Sequence, residues 1–137
     1  MSATATSLLL FIGWTLALLV LMEVVRSWVV VSGQVPANRI APDNSGLSPF
    51  MQRLARAHLN CIEGLPVFGG LMLVALVIGK SAITDPLAYW LLVARVAQSS
   101  IHLASTSPLA VTARFTVFAV QLGIAVYWTW RLIASGP

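Results

Sequence analysis

Three polar side chains recur at helical spacing in the stretch 53–64 of the chain. Arg56, Asn60 and Glu63 are spaced i, i+4 and i+7, which places a guanidinium, an amide and a carboxylate on one narrow face of a helix. The apolar run 65–79 follows directly. A polar face at the end of an apolar transmembrane helix is energetically costly unless it meets protein, water or a ligand. We therefore expect the rest of the chain to complete a binding site for such a ligand.

A second polar stripe lies inside another apolar segment. Arg95, Gln98 and His102 are spaced i, i+3 and i+7, and an arginine at that depth is a candidate site residue that needs a partner. Glu63 is the expected partner, because the apolar segments hold few other carboxylates. Arg114 lies near the start of the next apolar segment, so the connectivity should bring it to the same end as His102.

These stripes are mostly cationic, with Arg56, Arg95 and Arg114 set around the carboxylate of Glu63. Arginine recognises carboxylates by a two-pronged fork, and a glutamate can hold an ammonium group. The set therefore suits a small zwitterion with surplus negative charge. No metal site is expected, because the histidines and the cysteine lack a clustered ligand spacing. The sequence also has no Gly-rich phosphate loop and no nucleophile-elbow motif.

The first apolar segment carries one polar interruption, Glu23 followed by Arg26 at i, i+3. The two side chains could form an ion pair, or Arg26 could face the ligand, and the spacing leaves both open. The later stripes have the same alternative, since inter-helix ion pairs could serve only to specify an assembly. The lone cysteine, Cys61, lies off the stripe and is expected to be a buried structural thiol.

Composition predicts an integral membrane protein. Of 137 residues, 58% are hydrophobic and only 9% are charged, and the mean hydropathy is +0.89, whereas soluble domains carry about 25% charged residues. The formal charge is +4, but the basic residues are spread singly, which excludes a nucleic-acid surface. Anionic lipid or a small anionic ligand remains as a partner.

The hydropathy pattern predicts an all-α membrane protein of one domain, 1–137, folded as an up-down-up-down bundle of four transmembrane helices. Pro66 should kink the second helix, and the polar segment 33–47 is the one long loop. Residues 1–22 carry no charged side chain, which favours a permanent first span over a cleaved signal peptide. The spans are expected at about 7–32, 48–80, 86–104 and 109–133.

Charge asymmetry sets the expected orientation. The 33–47 loop carries Arg39 and is flanked by Arg26 and Arg53, whereas the opposite side has Lys80 and Arg131. The excess of positive charge places the 33–47 loop in the cytoplasm.

The stripe on the second helix also resembles a known signature. Residues 56–66 read Arg-Ala-His-Leu-Asn-Cys-Ile-Glu-Gly-Leu-Pro. This is similar to the Arg-Ala-His-x-Asn-x-x-Glu-x-x-Pro pattern of the membrane-associated proteins in eicosanoid and glutathione metabolism, the MAPEG family. Weaker matches are Gly-Gln-Val at 33–35, Ala-Arg-Val-Ala at 94–97 and Arg-Phe at 114–115. Length and the four-span layout agree along nearly the whole chain.

The resemblance implies a homotrimer that binds glutathione as co-substrate between neighbouring subunits. Arg56, Asn60 and Glu63 would bind the tripeptide, and Arg95 would support the polar core beneath it. Arg114 would lie near the thiol and favour the thiolate, since a nearby cation lowers a thiol pKa. Independently of the resemblance, Arg26 is a further binding candidate if it faces the ligand instead of pairing with Glu23.

Three positions depart from the pattern that the resemblance implies. The mammalian enzymes usually have a tyrosine where His102 falls and another aromatic hydroxyl where Phe118 falls. Arg114 lies farther behind the turn proline than the arginine of the family usually does. His102 could still donate a hydrogen bond to the ligand. These changes resemble the bacterial branch of the family, which implies a bacterial inner-membrane protein.

Two classes of function follow from this reading. The first is a glutathione-dependent transferase or peroxidase acting on small lipophilic electrophiles from the bilayer, with Arg114 and His102 as catalytic residues. The second is a non-catalytic scaffold or lipid-binding member of the same fold, and a small transporter or channel is a third possibility.

Overall fold

The computed structural model describes residues 1–136, and these form four helical rods and no strands. The predicted all-α four-helix membrane bundle is confirmed. The second rod is composite, because a π-helical turn at Leu65–Gly69 joins two α-helices end to end. A single 3₁₀ turn lies in the long loop at Ala37–Arg39. The α-helices are α1 Ala3–Val31, α2 Pro49–Gly64, α3 Gly70–Val77, α4 Ser81–Ala104 and α5 Pro108–Ala134.

Serine caps begin three of the rods. The hydroxyls of Ser2, Ser48 and Ser107 accept hydrogen bonds from the backbone N–H groups of Ala5, Met51 and Ala110, respectively. The last two serines precede a proline at the first helical position, where the missing N–H costs nothing. Helix α1 begins at residue 3 and α4 at residue 81, before the positions of about 7 and 86 at which the first and third membrane spans are expected to start.

Pro66 lies inside the widened turn that joins α2 and α3. Proline has no N–H to donate, and its ring collides with the carbonyl four residues earlier in a regular α-helix. A π-turn relieves that collision by letting the backbone bulge. The predicted disturbance at Pro66 therefore takes the form of a bulge just after the Glu63–Gly64 end of α2.

Three of the rods, 3–31, 49–77 and 108–134, are long and apolar enough to cross a membrane. The family and these helices support an integral membrane protein. Helix α4 has a comparable length but is more polar, because it carries the second stripe. Its polar residues turn inward, where Arg95 is 1% exposed and Gln98 and His102 are each 5% exposed. Its outer face is apolar and aromatic, with Trp90 67% exposed.

The apolar core runs along the middle of the bundle, and large apolar side chains also cover the outside. The core includes Phe11, Leu54, Phe68, Leu91 and Trp128. Exposed apolar side chains occur on all four rods; examples are Leu16, Val77, Val93 and Val126. This outer surface suits hydrocarbon, where exposed apolar groups cost nothing.

A buried asparagine holds the long loop against the ends of α1 and α2. Asn44 is 0% exposed and has a left-handed φ of 58°, a conformation that asparagine tolerates. Its Nδ2 donates to the backbone oxygen of Met51 at 2.7 Å, and its Oδ1 accepts from Nε of Arg26 at 2.8 Å. Arg26 also donates to the backbone oxygen of Pro42.

The opposite end of the bundle is closed by a different polar cluster. Asp85 accepts from the backbone N–H of Thr4 at 2.8 Å and from its hydroxyl at 2.6 Å. The hydroxyls of Thr4 and Thr84 are 2.7 Å apart. Lys80 donates to the backbone oxygen of Ser135 at 2.9 Å. These bonds tie the start of α1 to α4, and the turn before α4 to the end of α5.

Candidate functional site

A polar cavity of about 420 Å³ opens at the loop end of the bundle, between α2, α4, α5 and the long loop. Its walls hold five of the seven predicted site residues: Arg56, Asn60, Glu63, His102 and Arg114. The same cavity is lined by four residues that the sequence did not single out: Asp43, Ser45, Gln52 and Leu59. The long loop therefore forms part of the wall.

Helix α2 presents its stripe to this cavity as the spacing predicted. Arg56 and Glu63 are exposed in the single chain, and Asn60 is half-buried. Neither charged residue belongs to an ion pair, since within residues 1–136 the only one joins Arg26 to Glu23. Two charges of opposite sign are thus left open on one lateral face, available to a ligand or to another copy of the chain.

An arginine and a histidine join α4 to α5 across the short turn between them. Nη1 of Arg114 lies 2.9 Å from Nδ1 of His102. A guanidinium can only donate, so Nδ1 of His102 must accept, and the ring proton is on Nε2. The bond holds His102 as a neutral imidazole with one N–H left to donate. It also fixes the guanidinium of Arg114 at the cavity wall.

The deepest cation is sandwiched between aromatic rings rather than paired with a carboxylate. The guanidinium carbon of Arg95 lies 5.5 Å from the ring centre of Phe11 and 5.2 Å from that of Phe68. Nη1 donates to the backbone oxygen of Asn60 at 3.2 Å, whereas Nε and Nη2 have no partner among the described residues. The predicted ion pair with Glu63 is therefore wrong for the single chain, because that carboxylate turns outward.

A glycine makes room for this arginine. A Cβ at Gly64 would lie 2.6 Å from Nη2 of Arg95 and 3.2 Å from the ring of Phe68. The guanidinium therefore occupies the volume that any other residue would fill. Arg95 shares a small cavity of about 150 Å³ with Asn60 and Glu63, which places it directly beneath the polar cavity.

A second cavity, of about 260 Å³, continues from the polar cavity along α5. Asn60 and Arg114 line both cavities, so they mark the junction. The second cavity is more apolar, and its remaining lining residues are Gln98, Val111, Phe115 and Phe118. Phe115 is 70% exposed, so this cavity opens on the lateral surface of the bundle.

The structure does not bring Arg26 to the other site residues. Nη1 of Arg26 pairs with Glu23 at 2.9 Å, and its other nitrogens bind Asn44 and Pro42 of the loop. These contacts hold it in a separate cavity of about 460 Å³. Of the two roles left open by the sequence, the ion pair is the one that the single chain adopts.

The lone cysteine lines none of these cavities. Cys61 is buried, and its Sγ lies 3.2 Å from Oγ of Ser99, in agreement with a structural thiol. Among residues 1–136, no group of three or more His, Cys, Asp or Glu side chains could hold a metal ion. In the loop, the backbone N–H of Ser45 donates to Asp43 at 3.0 Å and lowers the pKa of that carboxyl.

The comparisons with known proteins agree with this architecture. The model of the MAPEG family matches residues 4–134, which is nearly the whole chain. No curated protein and no solved structure matches the chain.

Proposed function

The chain belongs to the MAPEG family, and from that premise we propose that it is a glutathione-dependent transferase or peroxidase of the membrane. Membership supports a glutathione-related function in a general way. The observation that carries the finer proposal is the junction at Arg114, whose side chain lines both the polar cavity and the apolar one. A reaction between a polar thiol and a lipophile needs a polar and an apolar binding cavity that adjoin each other.

The polar cavity suits the peptide part of glutathione, which has two carboxylates and one ammonium group. The exposed guanidinium of Arg56 can grip a carboxylate by two parallel hydrogen bonds. Glu63, two helical turns away on the same face, can hold the ammonium group. Asn60 lies between them and offers both a donor and an acceptor to the peptide bonds.

Arg114 and His102 would act on the thiol at the junction. A cation beside a thiol favours the thiolate, which is the nucleophile. His102 keeps its Nε2–H as a donor, since Nδ1 is occupied by Arg114. The thiol proton passes to water, the thiolate sulfur forms a bond to an electrophilic atom of the lipophile, and the electron pair of the broken bond leaves with the leaving group. Orientation of the two reactants supplies much of the rate.

The exposed charges on α2 support a homotrimer in which the site is shared. A charged face is costly in a bilayer unless it meets protein or a polar ligand, and Arg56 and Glu63 are exposed in the single chain. We place glutathione between neighbouring copies, and if Arg26 binds it, Arg26 does so from the neighbour. Lipid covers the rest of the surface. The 33–47 loop is proposed to face the cytoplasm of a bacterial inner membrane.

Turnover by the purified protein tests the proposal. We expect glutathione-dependent conversion of a generic aryl halide or a lipid hydroperoxide by the wild type. Arg114→Ala should lower kcat about 100-fold or more, the usual effect of losing a charge-stabilising donor. Arg131→Ala is the matched control, because that arginine is exposed at the far end of α5 and, within residues 1–136, its side chain bonds to Tyr127 alone. Equal activity in wild type and Arg114→Ala would remove Arg114 from the chemistry.

One observation favours the non-catalytic alternative, a scaffold or lipid-binding protein. No lining residue of the second cavity carries a hydroxyl, because Phe118 occupies the position where one would be expected. A scaffold would show no preference for the free thiol. Calorimetry with glutathione and with its S-methylated form separates the two: the enzyme should discriminate between them, and a scaffold should not.

A further inference from the structure

One arginine joins the start of α2 to the last turn of α4. Nε of Arg53 donates to the backbone oxygen of Leu103 at 2.8 Å. Leu103 directly follows His102 in the chain, so this bond ends one residue from the proposed site. Arg53 is half-buried and lines none of the cavities described above. The mechanism proposed above does not use it.

The acceptor is a backbone oxygen that α4 itself cannot satisfy. The last carbonyl groups of an α-helix have no partner within the helix, and α4 ends at Ala104. The oxygen of Ile101 accepts from the backbone N–H of Ser105, but within residues 1–136 no backbone N–H donates to the oxygen of Leu103. A guanidinium at the carboxyl end of a helix also interacts favourably with the helix dipole. The bond from Arg53 therefore stabilises the last turn of α4.

Two other polar contacts join α2 to α4 among the described residues, and both lie deeper in the bundle. Nη1 of Arg95 donates to the backbone oxygen of Asn60 at 3.2 Å, and Sγ of Cys61 lies 3.2 Å from Oγ of Ser99. Each of them meets α4 about one helical turn or more before the bond from Arg53 does. Arg53 therefore makes the outermost polar contact between these two helices.

This contact fixes the separation of two walls of the polar cavity. One wall is the polar stripe 56–63 on α2, and the other is formed by His102 and Arg114, which are bonded to each other. Only residues 105–107 connect α4 to α5, so the start of α5 must follow the end of α4. A shift of the last turn of α4 would therefore move both His102 and Arg114 relative to a ligand bound on α2.

We infer that Arg53 is a positioning residue for the proposed reaction. Through the backbone oxygen of Leu103, it holds His102 and Arg114 at the working distance from a thiol whose peptide part is bound on α2. The inference rests on the proposed function. Because Arg53 lines none of these cavities, its loss removes no donor from the ligand and changes only where two other donors lie. A misplacement of about 1 Å can lower a rate about 100-fold.

The test uses two substitutions of similar shape. In Arg53→Gln, Nε2 lies as far along the side chain as Nε of arginine and can still donate. In Arg53→Met, a methyl group takes that place and cannot. Both remove the charge. With an aryl halide, Arg53→Met should lower kcat about 10- to 100-fold, and Arg53→Gln should restore most of that loss. Calorimetry should give a Kd for glutathione close to the wild-type value in both variants.

A second measurement follows the thiol itself. The ultraviolet absorbance of bound glutathione at a fixed pH reports the fraction present as thiolate, and a displaced Arg114 stabilises that thiolate less. This fraction should fall in Arg53→Met and recover in Arg53→Gln. Arg39→Met is the matched control, because it removes an exposed arginine of the long loop. It should change neither kcat nor the thiolate fraction.

Other outcomes overturn the inference. An equal loss of kcat in Arg53→Gln and Arg53→Met would assign the effect to the charge of Arg53 rather than to the bond. A parallel loss of glutathione affinity would make the residue a ligand contact or a general support of the fold. If Arg53→Met does not fold, Arg53→Lys replaces it: the inference requires a higher kcat in Arg53→Gln than in Arg53→Lys, and the reverse order contradicts it.

Failure of the inference and failure of the proposed function give different results. If the wild type converts neither an aryl halide nor a lipid hydroperoxide with glutathione, the proposed function itself fails. If the wild type is active and kcat is unchanged in Arg53→Met, only the positioning role of Arg53 fails.

Discussion

The two ends of the bundle differ in whether their charged side chains are bonded within the chain. At the far end, Asp85 and Lys80 are bonded within the chain, to Thr4 and Ser135 respectively. At the loop end, Arg56 and Glu63 are exposed without an ion pair. Buried guanidinium nitrogens that lack a partner in the described chain occur only in that half of the bundle, on Arg95 and Arg114.

The contrast distinguishes polar groups that stabilise the fold from polar groups that are available to bind a ligand. A polar group in a membrane protein must be satisfied from within the chain, by another copy or by a ligand. At the far end, the charged side chains of Asp85 and Lys80 meet that requirement within one chain, although the hydroxyl of Ser7 and the indole N–H of Trp128 have no partner among residues 1–136. The loop end does not, and it surrounds a cavity of about 420 Å³ instead. Mutations at the two ends should therefore affect different measurements.

The largest effect on glutathione binding is expected at Arg56. Arg56→Ala removes the exposed guanidinium that we assign to a glutathione carboxylate, a contact of charged groups worth about 1.5 to 3 kcal/mol. The Kd for glutathione should rise about 10- to 100-fold, with little change in Tm. Isothermal calorimetry of the detergent-solubilised protein measures it. Lys80→Ala, which removes a cation at the far end, is the control. An equal loss of glutathione affinity in that variant would show that the two ends do not differ in ligand binding.

The next effect is expected beneath the cavity, at Gly64. In Gly64→Ala the new methyl group would lie 2.6 Å from Nη2 of Arg95, so the guanidinium must shift. Because the rings of Phe11 and Phe68 enclose it, we expect this overpacking to cost about 1 to 3 kcal/mol. Both Tm and glutathione affinity should fall, because Arg95 supports the floor of the site. Gly70→Ala is the matched control, since a Cβ there meets nothing within 4 Å. A normal Tm and normal affinity in Gly64→Ala would show that the Arg95 pocket is not constrained.

A stability effect without a binding effect is expected at Asp85. Asp85→Ala leaves the backbone N–H of Thr4 without its acceptor and removes one of the two partners of the Thr4 hydroxyl, a loss of roughly 1 to 2 kcal/mol by analogy with helix caps. Thermal unfolding followed by circular dichroism should show a lower Tm, while the Kd for glutathione stays at the wild-type value. A weakened affinity would mean that the far end is coupled to the site.

The smallest effect is expected at Asp43, on the exposed loop. The N–H of Ser45 lowers the pKa of this carboxyl in the folded protein, with a smaller contribution from the charge of Arg56. A lowered folded pKa stabilises the protein above the unfolded value of about 3.9, and this contribution is lost as pH falls through the folded pKa. Asp43→Asn should reduce the slope of Tm against pH below about pH 4. An unchanged slope would assign the acid sensitivity to other groups.

Helical spacing was enough to predict one wall of the site. Arg56, Asn60 and Glu63 share a face because side chains at i, i+4 and i+7 lie on one side of any α-helix. The connectivity then predicted that His102 and Arg114 meet them, since α4 ends where α5 begins. Both inferences depend only on backbone periodicity and chain order, which the sequence determines directly.

The contacts that could not be predicted depend on backbone atoms and on the space left where glycine has no side chain. Arg95 avoids Glu63 because Gly64 leaves an empty volume and two rings enclose it. The loop captures Arg26 through Asn44, whose left-handed backbone is not evident from residue type alone. The orientation of Gln98 is set by the backbone oxygen of Val117 through Gln121, and backbone oxygens carry no sequence signal.

The central claim is that the unpaired arginines at the loop end bind an anionic thiol peptide. Equilibrium binding of glutathione to the intact protein tests this claim most directly. Calorimetric titration should give saturable binding of glutathione by the wild-type protein in detergent. The diester of glutathione, which lacks both carboxylate charges, should bind far more weakly. No binding of glutathione, or equal binding of the diester, would contradict the account.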